Sequence, residues 1–247
     1  MLFIHCVAFL DNFKYLYRQA SVMTAVINKA ILELTPSSTE EDAKQTYDAW
    51  STTYEEDTHN HGYKGHVLCV EAFDKAMQSK DVFPDANKNI KILDAGAGTG
   101  IIGEMLVKQG YMNIDALDIS QKMLDIAEKK NVYKRLICAP LSDIRIEQIQ
   151  TAEYDVVLCA GTIVYGQAKP VALNECVRHV RPGGLFIFSI RADSFDPAEL
   201  GYSPKFEELE KSGKWKLVNR ERRELYSHPD DERYRDCYLI TYKVLKN

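Results

Sequence analysis

The sequence predicts an α/β fold, a mostly parallel sheet with helices on both faces, preceded by a helical arm. Three observations predict it. From Asn89 onward, short apolar runs alternate with helix-patterned segments, as they do in successive βα units. The runs Asp155–Cys159 and Leu185–Phe188 are almost wholly apolar, as expected of strands covered on both faces. A glycine-rich turn, Asp94-Ala95-Gly96-Ala97-Gly98-Thr99-Gly100, runs straight from a strand pattern into a helix pattern.

The elements before the sheet divide into two parts. Residues 1–38 read as an N-terminal extension. Its apolar start, Met1–Leu10, is shorter than the ~20 residues a membrane span needs, and it lacks a basic leader and a small-residue cleavage site. Thr35-Pro36-Ser37-Ser38-Thr39 is a break, and Thr39 with Asp42 has the spacing of a helix N-cap. Residues 39–88 therefore read as a helical arm. It comprises a helix to Trp50, a polar stretch over Ser51–His61, and a second helix over Tyr63–Ser79 with Val67, Val70, Phe73 and Met77 on its apolar face.

Residues 89–247 read as the core. Strands are predicted at Ile90–Leu93, Ile114–Leu117, Leu136–Cys138, Asp155–Cys159 and Leu185–Phe188, with two more near 215–226 and 234–244. Helices fall over 99–110, from the N-cap Ser120 to Lys130, over 170–180 and over 205–211. Arg181-Pro182-Gly183-Gly184 reads as a tight reversal from helix into strand.

Composition narrows the class. Of 247 residues, 45% are hydrophobic and 27% charged, which is the balance of a globular chain. The net charge of −5 supplies no whole-molecule attraction to phosphate, and the short basic runs read as solvated faces, so nothing points to a nucleic-acid partner. No membrane partner and no oligomeric state is indicated. The six cysteines are scattered without a C-x-x-C pair, which predicts a reducing, cytoplasmic setting without disulfides or zinc. Cys138 and Cys159 sit in apolar runs and read as small buried hydrophobes.

The glycine turn carries the chemistry. Glycines permit positive φ and let a ligand approach the backbone, and the following helix presents free N–H groups and a positive dipole end. A dinucleotide site requires G-x-G-x-x-G, but Ile101 stands at the last of those positions. An acid at the strand end, Asp94, is poorly placed for a pyrophosphate and suits a ligand bearing an ammonium and a sulfonium. Asp118, about 20 residues beyond the glycines, can accept from both hydroxyls of a ribose.

In this order and spacing the segment from Asp94 to Ile190 resembles the class I S-adenosylmethionine (SAM)-dependent methyltransferase superfamily. The resemblance implies a Rossmann-like, seven-stranded, mostly parallel sheet and SAM as cofactor. It implies that Asp94, Gly96, Ala97, Gly98 and Gly100 organise the methionine end. Asp118 would bind the ribose, with Ile119 beside the adenine, and Ala160 and Gly161 would line the methyl-transfer face. Many relatives carry an acid at the end of the third strand, where this chain has Pro140. Either Asp143 substitutes, or the Leu141 backbone reads the adenine alone.

Tyr47-Asp48-Ala49-Trp50-Ser51-Thr52-Thr53-Tyr54-Glu55 is similar to a segment of the methyltransferase-like family that includes the protein of the Williams–Beuren syndrome region. That resemblance implies Trp50, Tyr54 and Tyr63 as lid residues over the cofactor; the alternative is a helix whose aromatics pack on the core. His59, His61 and His66 lack zinc-motif spacing, and no residue is marked as a general base. Three functions compete: a methyltransferase acting on a small molecule or protein side chain, a SAM- or SAH-binding interaction protein without turnover (SAH being the demethylated product), and an NAD(P)-dependent oxidoreductase. The glycine spacing and Asp94 disfavour the last. An aromatic lid favours turnover, because closing a pocket matters most for chemistry.

Overall fold

A computed structural model of the chain describes residues 34–247. The apolar start and most of the 1–38 extension lie outside the described residues. Seven strands form one sheet: β1 (Ile92–Ala95), β2 (Ile114–Asp118), β3 (Arg135–Cys138), β4 (Tyr154–Cys159), β5 (Val180–Arg191), β6 (Trp215–Glu224) and β7 (Asp236–Val244). Their spatial order is β3-β2-β1-β4-β5-β7-β6. The pairs among β1 to β5 are parallel, and β7 runs antiparallel to both β5 and β6. The sheet predicted from the alternation is thus present, and its last strand is inserted between two earlier ones.

Period-two alternation feeds two separate cores. Leu93, Val157, Cys159, Phe186 and Phe188 enter one. Their neighbours Ile92, Val156, Leu158, Leu185 and Ile187 enter the other. By that alternation Asp94 falls on the second face, where an apolar residue would be expected. The order of strands reverses direction between β1 and β4, so the crevice at their carboxyl ends is the topological switch point, where ligands of open α/β sheets bind.

The arm begins at helix α1 (Glu40–Trp50), capped as expected by a reciprocal Thr39–Asp42 box. The polar stretch Ser51–His61, for which the sequence predicts no element, holds a further helix, α2 (Tyr54–Asn60). Its sequence, YEEDTHN, has too few apolar residues to show a period, and its helix is held by tertiary contact: Asp57 and Thr58 are buried. Helix α3 (Gly65–Gln78) packs through Leu68, Cys69, Val70, Ala72, Phe73 and Ala76. Val67, expected on that face, is 46% exposed, so the buried stripe is rotated from the predicted one.

Helices α4 (Ile101–Lys108) and α5 (Gln121–Lys129) follow β1 and β2, and Ser120 caps α5 by accepting from the Met123 N–H. Two local expectations fail. Cys138 ends β3 exposed rather than buried, because β3 is the sheet edge. Arg181–Gly184 is no turn ahead of the strand. Helix α6 (Leu173–His179) stops at His179, Val180 already pairs with Tyr154, and Leu185 pairs with Val156, so the four residues form a bulge on β5. Helices α7 (Ala192–Phe195) and α8 (Tyr202–Lys211) lead from β5 to β6.

Candidate functional site

β1, β2 and β4 end level with one another, at Ala95, Asp118 and Cys159. The glycine turn leaves β1 with Gly96, Gly98 and Gly100 all at positive φ, but the three glycines serve different neighbours. A Cβ on Gly96 would stand 1.9 Å from the Thr162 Oγ1, so Gly96 admits the loop after β4. One on Gly100 would meet Tyr133 and Ala127 at 3.0 and 3.2 Å, so Gly100 admits the segment after β2. On Gly98 the nearest atom would be the Tyr54 Cε1 at 4.0 Å; that side of the backbone faces open space under the arm.

Asp118 is tied to this turn. Its Oδ2 accepts from the Gly98 N–H at 2.8 Å, and its Oδ1 accepts from the Ser120 N–H at 2.8 Å. Each oxygen can still accept a further hydrogen bond. Burial pushes its carboxyl up to about 6, against the backbone N–H groups that hold it down. Asp94 lies beneath, fully buried, with Oδ2 accepting from the Tyr133 hydroxyl at 2.6 Å and Oδ1 without a partner among the described residues. Burial lifts Asp94 to about 7, despite the Tyr133 bond, and nearby Asp118 adds to the rise.

A stability consequence follows for Asp94. Its folded pKa lies above the ordinary value of 3.8, so the folded chain keeps the proton longer and stability is lost as pH rises between the two values. Asp94→Asn, which cannot ionise, is expected to gain on the unaltered chain by about 2 kcal/mol between about pH 5 and pH 7.5. Urea unfolding at the two pH values measures this. Equal gaps at both would show that Asp94 is not held protonated. His66 and His179, both pushed down by burial, act in the opposite sense and cancel in the comparison.

The arm closes the cleft with aromatic rings. Trp50 donates from Nε1 to the Asp57 Oδ2 at 2.8 Å, and Tyr54 meets it edge-on with centroids 4.8 Å apart. The Tyr54 hydroxyl lies 3.3 Å from the His66 Nε2, a ring whose pKa burial lowers to about 4 and so leaves neutral at pH 7. The Tyr63 hydroxyl abuts Gly161, where a Cβ would stand 2.3 Å away. The chain between β6 and β7 holds the arm from the other side. Tyr63 bridges Tyr226, Ser227 N–H donates to the Gly62 carbonyl, and the His61 Nε2 stands 3.0 Å from the Asp230 carboxylate. Lys130 of the core joins Glu55 of the arm at 2.7 Å.

Together these parts surround a cleft that opens to solvent at its mouth. Of the residues singled out from sequence, Gly96, Gly98, Asp118, Ile119, Leu141, Ala160, Gly161, Trp50, Tyr54 and Tyr63 line this cleft. Asp94, Ala97, Gly100 and Asp143 do not. Asp94 lies below the turn, Gly100 caps α4, and Asp143 is exposed to solvent. Sequence reasoning passed over Tyr47, Met123, Thr162, Gln167, Arg191 and Tyr226, which also line it. Tyr47 stood in the aromatic segment already quoted. Arg191 and Tyr226 lie too far along the chain for any local pattern to connect them with the turn.

Comparison with known proteins agrees with this architecture. Residues 93–188 match the Methyltransferase domain family. The chain is 30% identical over 176 residues to Methyltransferase-like protein 27 of Homo sapiens, covering 68% of this chain and 66% of that protein. It is 29% identical over 106 residues to a malonyl-[acyl-carrier protein] O-methyltransferase of Priestia megaterium, covering 42% of this chain and 37% of that protein. The chain thus spans from 37% to 66% of the length of these curated relatives. Among solved structures, a TehB-like SAM-dependent methyltransferase from Corynebacterium glutamicum superposes with a TM-score of 0.53 at 22% identity, over 79% of this chain and 98% of that one, a likeness of fold. With a family match over residues 93–188 and a relative 30% identical over 68% of this chain, the chain belongs to the class I SAM-dependent methyltransferase superfamily.

Proposed function

We propose that the chain transfers a methyl group from SAM to a small molecule or a protein side chain, within an arm of residues 39–88 closed over a core of residues 89–247. The observation that carries the reading is the Asp118 carboxylate, which fixes the Gly98 N–H while keeping acceptor capacity toward the cleft. The site suits SAM in two further respects. Gly98 leaves its side of the turn open, and the Tyr54 ring of the arm stands over it. On this reading Gly96 and Gly98 form the cradle for the methionine end, Ala97 and Gly100 shape the turn that presents them, and Asp118 holds the ribose. Ile119 and Leu141 flank the adenine, and Ala160 and Gly161 border the transferred methyl.

Bound SAM supplies an electrophilic methyl on a sulfonium. What this chain contributes is orientation and exclusion of water by Trp50, Tyr54 and Tyr63, and positioning of this kind is worth about 7–11 kcal/mol of a barrier. Two groups of relatives are named as O-methyltransferases, so an oxygen nucleophile is the first acceptor to test. Five free cysteines among the described residues support a reducing, cytoplasmic location, which imaging of a fluorescent fusion would check.

Calorimetry should show SAM and SAH binding with NAD far weaker; comparable NAD binding would overturn the assignment. Turnover is tested by mass spectrometry of a native extract incubated with isotopically labelled SAM and the protein. Binding without any labelled product would favour the interaction-protein reading. Tyr54→Ala should reduce SAM affinity or turnover more than stability, since its ring lies over Gly98. A large loss of melting temperature with unchanged affinity per folded molecule would make Tyr54 a packing residue only.

A further inference from the structure

Arg191 is the last residue of β5, and its side chain is 10% exposed. A buried guanidinium is expensive unless paired, and this one is held on three sides. Its Nε donates to the Asp193 Oδ1 at 2.9 Å and its Nη2 to the Asp193 Oδ2 at 3.0 Å. The Tyr165 hydroxyl donates to the same Oδ2 at 2.8 Å, which fixes the carboxylate in turn. The guanidinium carbon lies 4.7 Å from the Tyr165 ring centroid and 4.2 Å from that of Tyr234, so a ring stands over the cation from each tyrosine.

An ion pair alone would account for one edge of the plane. It leaves the other unexplained: Nη1 and the second Nη2 hydrogen make no hydrogen bond among the described residues, and Nη1 is not among the fully occluded orphan atoms. Arg191 lines the cleft. Among the described residues the other charged members of that lining are Glu40 and Asp118, so Arg191 is its single cation. It is also remote from the glycine turn. β4 intervenes between β1 and β5, which puts Arg191 about 10 Å across the sheet from Gly98. A methionine end seated on the turn would leave this region to the second substrate, between Tyr47 and Tyr226.

We propose that Arg191, aimed by Asp193 and clasped by Tyr165 and Tyr234, binds the carboxylate of a small aromatic acid and thereby selects the methyl acceptor. A guanidinium edge with two parallel N–H groups matches a carboxylate in plane and spacing. The rings of Tyr47, Trp50 and Tyr226 suit a flat apolar body joined to that carboxylate. The assignment rests on the methyltransferase reading.

The experiment uses the full chain saturated with SAH, titrated calorimetrically with benzoate and with benzamide, which share a shape and differ in charge. Benzoate is expected to bind at least about tenfold more tightly than benzamide. In Arg191→Lys, which keeps the charge and most of the packing, benzoate should weaken by a similar factor while SAH affinity stays within about twofold. Equal binding of the two probes, or no binding of benzoate, overturns the proposal without recourse to any variant. A parallel loss of SAH affinity in Arg191→Lys overturns it too, because the guanidinium would then serve the carboxylate of the cofactor. Failure of SAH to bind the unaltered chain appears before any probe is added and removes the methyltransferase reading along with this one.

Discussion

Gly98→Val is expected to weaken SAM binding by at least about a hundredfold, which is about 2.7 kcal/mol or more, while the sheet still forms. The added Cβ would stand in open space, 4.0 Å from the Tyr54 ring. It therefore collides with a ligand and not with the protein. The backbone is not indifferent to the change: φ is +54° at Gly98, and a left-handed valine costs about 1–2 kcal/mol. In a chain of this size that lowers the melting temperature by about 2–8 °C. Gly96→Val makes the contrast, because its Cβ would strike Thr162 at 1.9 Å and the variant should fail to fold stably. Calorimetry with SAM and circular dichroism on both variants measure the pair of effects. SAM affinity retained in Gly98→Val would mean that the cofactor lies elsewhere.

Asp118→Ala is expected to lower SAM affinity at least about tenfold, through loss of charge-assisted bonds worth about 1.5–3 kcal/mol. The geometry adds a second route. Without the carboxylate the Gly98 and Ser120 N–H groups lose their acceptor, so the turn is less well held before the ligand arrives. Removing an acid that burial pushes up to about 6 offsets part of that cost at pH 7. Apo stability should therefore change little while affinity falls. Asp118→Asn keeps one acceptor oxygen and should fall between. An Asp118→Ala chain that binds SAM as well as the unaltered one would reduce Asp118 to a loop acid.

The sheet was legible in the sequence because its strands are short apolar blocks between helix periods, and such blocks need no tertiary information. The Asp94–Gly100 turn and the Ser120 cap were legible for a related reason: each is a local solution to a backbone problem. Helix α2 was not legible, since YEEDTHN carries no apolar stripe and folds on contacts made by Asp57 and Thr58. The Arg181–Gly184 bulge was read as a turn because the same residues serve both, and only pairing across to Tyr154 and Val156 distinguishes them. Within the site, sequence grouped Gly96, Gly98 and Gly100 as one cradle. Space divides them: Gly96 and Gly98 line the cleft, and only Gly98 has open room where a Cβ would stand. Gln167, Arg191 and Tyr226 escaped notice because they come from separate segments, after β4, at the end of β5 and after β6, and meet only in the folded chain.

The insertion of β7 between β5 and β6 sets an order on how the chain can be completed during synthesis. β6 leaves the ribosome before the strand that will join it to the sheet, so until residues 236–244 emerge both it and β5 present an unpaired edge. The arm waits as well: its partners at Leu225–His228 are made more than 150 residues after Gly62 and Lys64. A nascent chain of this protein thus carries a finished glycine turn well before it has a closed cleft. A chain cut short within β7 would leave β5 with an open edge and β6 with no partner, a substrate for chaperones and proteases.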